Sequence, residues 1–75
     1  MNRNGGNEMS VIKIVEVIGS SPKSWEDAAK NAVAETAETV RDIKSIDAKH
    51  FTAKVEKDKI VEYRAVVRIA FGVER

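Results

Sequence analysis

The stretch Ile60-Val61-Glu62-Tyr63-Arg64-Ala65-Val66-Val67-Arg68-Ile69-Ala70-Phe71-Gly72-Val73 decides the fold. Every second residue from Val61 (Val61, Tyr63, Ala65, Val67, Ile69, Phe71, Val73) is apolar. The alternate register from Ile60 is mixed, with Glu62, Arg64 and Arg68 among apolar residues. Alternation at period two marks a strand with one face against a core. A helix would scatter the three charges around its circumference, whereas a strand gathers them on one side. The segment is therefore read as the central strand of a small sheet.

The rest of the chain is placed around it. Val11 to Ile18 (VIKIVEVI) is a β-branched strand. Its odd face carries Val11, Val15 and Val17 around Lys13, and its even face Ile12, Ile14 and Ile18 around Glu16. Two apolar faces call for cover on both sides, more than one helix provides. The second cover is assigned to a neighbouring subunit. Gly19-Ser20-Ser21-Pro22 ends the strand, and Ser24 with Asp27 three positions on reads as a helix start. Ser21 ahead of Pro22 is the competing cap. The helix is expected to run to about Val40 or Arg41, with a stripe of Trp25, Ala29, Ala32, Val33, Ala37 and Val40. Ser45 to Val55 is a less regular strand, joined by a turn at Glu56-Lys57-Asp58-Lys59 to the central one.

The expected fold is thus α+β, with element order β-α-β-β. A crossover helix makes the first two strands parallel, and the hairpin makes the last two antiparallel. The simplest sheet meeting both conditions has order 1-3-2, with the helix on one face. Residues 10–75 form the domain. Residues 1–9, polar and containing Gly5 and Gly6, are read as a disordered tail.

Size and composition narrow the function. Seventy-five residues, 43% hydrophobic with four aromatics and no cysteine, give a marginal core without disulfides or thiolate metal ligands. Oligomerisation is the remaining source of burial. A formal charge of +1 on 33% charged residues of interleaved sign lacks the basic face a nucleic-acid binder needs. No run approaches the roughly 20 apolar residues of a membrane span, and no apolar signal-peptide core is present. A cytoplasmic protein is expected.

No catalytic constellation is found, and an enzyme is not expected. His50 is the sole histidine and has no spaced partner ligand, so a surface or interface role is assigned. Ser20, Ser21 and Ser24 lack a neighbouring base or a phosphate-binding glycine motif, and turn and cap roles account for them. Glu16, Asp47, Asp58 and Glu62 are oxygen donors for a hard cation only if a calcium site assembles across subunits. Trp25 is read as packing at the start of the helix stripe rather than stacking on a ligand. Arg64 and Arg68 are either a phosphate clamp or partners of Glu62 and Glu16 in ion pairs between subunits.

With this order and these landmarks, the sequence resembles the dodecin family. The resemblance rests on V-I-K-I-V-E-V-I-G-S-S-P-K-S-W-E-D-A-A-K-N-A-V (Val11–Val33), Val40-Arg41, and Glu62-Tyr63-Arg64 leading into Val73. It implies a homododecameric hollow shell, and a flavin-binding role of storage and protection, with FMN or riboflavin stacked between tryptophans of neighbouring subunits. Two ring-recognition positions differ here. Where flavin-binding relatives have a Leu-Asp-Trp-Phe-like stretch, this chain reads Ile43-Lys44-Ser45-Ile46, which puts Ser45 in the tryptophan slot. Arg64 stands where the family glutamine hydrogen-bonds the flavin ring. The expected cofactor site is therefore Ser45 and Arg64, weak for flavin. The alternative is a non-flavin assembly that is structural or sequesters calcium.

Overall fold

The computed structural model describes residues 11–73; the expected tail at residues 1–9 lies outside them. The elements are β1 (Val11–Ser21), α1 (Trp25–Thr36), β2 (Ile43–Glu56) and β3 (Lys59–Val73). The sheet order is β1-β3-β2, and β3 is antiparallel to both neighbours. The 1-3-2 order and the α+β class expected from the sequence are therefore found.

β1 pairs with β3 without a break from Val11↔Val73 to Ser21↔Tyr63. This register gathers Ala65, Val67 and Ile69 of β3 with Val15, Val17 and Gly19 of β1 on the face that meets α1. Val67 and Ile69 are 0% exposed, and they pack with Ala28 and Ala32 of the helix. Gly19 sets the depth of this contact. A Cβ built there would lie 2.1 Å from the Ala28 carbonyl oxygen and 2.8 Å from Ala32 Cβ. The backbones approach closely because neither partner has bulk, which is the use of glycine without any need for left-handed φ. The predicted stripe included Ala32 but passed over Ala28, which is buried completely. Trp25, Ala29 and Val33 lie at the flank of the contact rather than at its centre.

The helix begins where Ser24 predicts. Ser24 Oγ accepts from the Asp27 backbone N–H at 2.9 Å. Ser21, the competing cap, instead braces the loop: its hydroxyl accepts from the Lys23 N–H at 2.9 Å and donates to Asp27 Oδ2 at 2.7 Å. At the other end the expectation was too long. The helix stops at Thr36 with Ala37 as its C-cap, and the chain loosens into i→i−3 bonds from Glu38 and Thr39. The last turn holds no basic residue, while Glu35 and Glu38 put negative charge at the negative end of the helix dipole. Thr36, Thr39 and Val40 are β-branched and add little helix propensity.

β2 is the irregular strand, and its bulges explain its weak sequence pattern. The pairing with β3 shifts between Ile43 and Ser45, between Ala48 and His50, and between Lys54 and Val55. Lys44 and Lys49 are the extra residues at the first two shifts, and at the third the extra residue is Val61 of β3, next to the pair Lys54↔Glu62. Bulges and lysines on an edge strand both oppose pairing with a further strand. The hairpin turn places Lys57 and Asp58 at φ 52° and 65°. Two consecutive left-handed residues are the geometry of a two-residue type I′ hairpin. Asp42, also left-handed at φ 62°, tethers the start of β2, its carbonyl accepting from the Gly72 N–H at 3.0 Å.

Lengths decide what stays uncovered. A 15-residue strand spans about 50 Å, but a 12-residue helix spans about 18 Å. α1 packs mainly on β1 and β3 and reaches β2 chiefly through Trp25. Ile46, Phe51, Val55, Ile60 and Val61 remain exposed. On the sheet face opposite the helix, Ile12, Ile14 and Ile18 are also exposed, the last two at 60% and 67%. The two-faced apolar character of β1 is thus a feature of the fold, with one face satisfied within the chain.

Candidate functional site

The sheet face turned away from α1 carries the polar side chains of all three strands. Antiparallel register places directly opposed residues on the same face. One row across the sheet is therefore Glu16, Arg68 and Asp47, and another is Ser20, Arg64 and Thr52. Lys54 lies opposite Glu62, His50 opposite Val66, and Ser45 opposite Ala70. Ile12, Ile14 and Ile18 flank these rows on β1.

Both predicted site residues, Ser45 and Arg64, stand on this face. Within one subunit they are not brought together. Ser45 is level with Ala70, six residues along β3 from Arg64, a separation of about 20 Å at strand rise. Two shallow grooves flank the helix. One lies between Val17–Ser20 and Asn31 with Glu35, and the other between Ala29 with Val33 and Ile46. Neither includes Ser45 or Arg64.

The arginines are paired, and the partners belong to the same chain. Arg64 donates from a terminal guanidinium nitrogen to Glu62 Oε1 at 3.1 Å, and Arg68 Nε donates to Glu16 Oε1 at 3.2 Å. The partners are the two acids the sequence singled out, Glu62 and Glu16. Strand geometry is the reason: Glu62 and Arg64 are i and i+2 on one face of β3, and Glu16 is directly opposite Arg68. Both pairs are roughly half-exposed, where such contacts contribute about 0–1 kcal/mol. The Glu62 carboxyl is held below its ordinary range, chiefly by the hydrogen bond from Arg64, with further help from the Ser20 hydroxyl and Lys54.

Trp25 takes the packing role. Its ring meets Tyr63 edge-on at 5.0 Å and Phe51 at 6.3 Å, and its Nε1–H donates to the Thr52 carbonyl at 2.8 Å. This bond ties the first turn of α1 to the far strand. Sequence reasoning had no signal for Phe51 or Thr52 as its partners, because β2 shows no clean alternation. Ser20, Ser21 and Ser24 occupy turn and cap positions, and Asn31 Nδ2 donates to the Ser20 carbonyl at 2.9 Å. Of the acidic candidates, Glu16 and Asp47 flank Arg68, Glu62 sits with Arg64, and Asp58 is in the hairpin turn. Among the described residues, no group of three or more metal-ligating side chains converges, and no helix is long and apolar enough to cross a membrane.

Comparison with known proteins covers nearly the whole domain. A family model described as Dodecin matches residues 11–74. The calcium dodecin of Mycobacterium tuberculosis is 35% identical over 63 residues, covering 84% of this chain and 89% of the relative. The crystal structure of an arginine-to-alanine mutant of Thermus thermophilus dodecin superposes with a TM-score of 0.86 at 27% identity, covering 89% of this chain and 100% of the other. The crystal structure of the Mycobacterium tuberculosis calcium dodecin, described as calcium-chelating with a novel calcium-binding site, gives a TM-score of 0.76 at 31% identity. It covers 85% of this chain and 91% of the other.

Proposed function

The chain belongs to the dodecin family, and from that premise we propose that it is the subunit of a homododecameric shell that binds and stores a small flavin-type ligand between copies. The observation carrying this reading is the face opposite α1. Ile12, Ile14 and Ile18 are uncovered there, and Ser45 and Arg64 stand on the same face about 20 Å apart by strand rise. A pocket using both is completed only by a second copy. The role is binding rather than turnover, and a cytoplasmic location is part of the reading.

Ser45 cannot stack on a ring. Stacking contributes about 1–3 kcal/mol per aromatic platform, so its loss weakens flavin binding by roughly one to two decades. Arg64 offers a cation where an amide is expected, and a guanidinium suits a phosphate. FMN is therefore expected to bind better than riboflavin, and both weakly. Ser45→Trp with Arg64→Gln should raise riboflavin affinity about tenfold or more and quench its fluorescence. Submicromolar quenching of riboflavin by the unaltered protein would mean that another residue supplies the wall. Light scattering of the purified chain should report the dodecamer; a stable folded species at 8.3 kDa would sink the assembly.

A second reading is favoured by the relative named calcium dodecin at 35% identity. Here the assembly sequesters calcium, with carboxylates such as Glu16 and Asp47 donated from more than one copy. Calorimetric titration with calcium after chelator dialysis separates the two. Heat of binding that disappears in Glu16→Gln, with no flavin uptake, would favour the ion.

A further inference from the structure

Resting on the reading of Arg64 as a ligand contact, we propose that Glu62 is the specificity-determining residue that sets which ligand charge this site accepts. The geometry is local and complete. Glu62 and Arg64 project from the same face of β3, two residues apart, and their side chains meet at 3.1 Å. β1 contributes Ser20, which is directly opposite Arg64. β2 contributes Lys54 opposite Glu62, but Lys54 is itself held by Glu56 at 3.4 Å. The guanidinium is therefore not an open cation. Part of its donor edge is taken by the Glu62 carboxylate.

A phosphate that approaches Arg64 meets this carboxylate in two ways. It competes for the same N–H donors, and it brings a dianion to within about 6 Å of a fixed negative charge, where screening in water leaves part of the repulsion in place. A neutral ring carbonyl suffers no such repulsion and can accept from the guanidinium hydrogens that Glu62 leaves free. Glu62 thus narrows, without reversing, the preference for phosphorylated over neutral ligands that Arg64 would have alone. The lowered carboxyl pKa means that the charge persists at neutral and mildly acidic pH. The groups facing Glu62 are Arg64 on its own strand, Ser20 on β1 and Lys54 on β2.

The test compares FMN, riboflavin and inorganic phosphate on the assembled protein and on Glu62→Gln, which keeps the shape and removes the charge. The expected result is an FMN affinity about fivefold higher in Glu62→Gln, with riboflavin changed less than twofold. Adding Arg64→Gln should abolish the gain, since Glu62 acts through the arginine. Phosphate, followed by backbone amide shifts at Arg64 and Thr52, should bind more tightly to Glu62→Gln whether or not a flavin binds. If neither flavin binds either protein while phosphate behaves as stated, the flavin reading fails and the role of Glu62 stands. If FMN and riboflavin shift together, or phosphate is indifferent to Glu62→Gln, the role of Glu62 is overturned.

Discussion

The two halves of this subunit were built from the same kinds of residue and ended in opposite states. The β1–β3 half lies under the helix, where Ala65, Val67 and Ile69 meet Ala28 and Ala32 with almost no exposure. The β2 wing carries Ile46, Phe51 and Val55 with little cover from α1, and Phe51 is 54% exposed despite its edge contact with Trp25. Hydrophobicity does not separate them. Reach does, because a helix of about 18 Å cannot shield a sheet of about 50 Å. The covered half is what makes the chain fold, and the more exposed wing is apolar surface that the proposed assembly would cover.

The largest test of that division is Val67→Asp. A carboxylate without a partner at this fully buried position costs several kcal/mol, comparable to the whole stability of so small a core. Far-UV circular dichroism should show loss of the fold; a folded Val67→Asp protein would mean that the covered half is not the core.

Gly19→Val probes the depth of the same half. The helix must retreat to admit the side chain, which is expected to cost about 3 kcal/mol of overpacking. The loss should register as a lower thermal midpoint with the β-structure retained. An unchanged midpoint would show that the close approach at Ala28 and Ala32 carries no packing energy.

Phe51→Ser moves to the more exposed wing, and its effect should appear in a different measurement. Within the subunit it removes only an edge contact with Trp25, about 1 kcal/mol. Across an interface an exposed aromatic of this kind contributes about 2 kcal/mol or more. Light scattering on dilution should therefore show dissociation at higher protein concentration than for the parent chain. If dissociation is unaltered, Phe51 is bare in the assembly too.

Arg68→Ala is the smallest. Its pair with Glu16 is half-exposed, and up to about 1 kcal/mol is expected. A much larger loss, accompanied by disassembly, would show that copies of the chain bury the face opposite the helix and with it the pair. Titration of Glu62 is smaller still and has a definite sign. Its carboxyl pKa is lowered in the folded chain, so whatever stability it adds is present above the ordinary carboxylate range. That contribution is lost as pH falls through the lowered folded value. A pH-stability curve for Glu62→Gln should meet that of the parent at the acid end.

Much of this was legible in the chain itself. The alternation from Val61 to Val73 identified β3, its direction of burial and its central place. Ser24 announced the helix, and Glu56–Lys59 the turn. Periodicity and capping could say this much because they are properties of a few neighbouring residues. Ser45 and Arg64 were expected from a family resemblance, and about 20 Å along two neighbouring strands separates them, a distance no local pattern expresses.

Other features required the chain to be folded. Ala28 rather than Ala29 became the centre of the helix contact because the crossover angle and the missing side chain at Gly19 set which turn touches the sheet. Trp25 found Phe51 and Thr52 on a distant strand whose two bulges, at Lys44 and Lys49, erase the period-two signal. The arginines chose partners within the chain, as antiparallel register put Glu16 opposite Arg68 and strand pleat put Glu62 beside Arg64. Where no bulge intervenes, sequence determines which residues share a face, since that follows from the backbone period. Which face is covered, and by how much, depends on the lengths and angles of elements distant in the chain, and only the tertiary structure decides it.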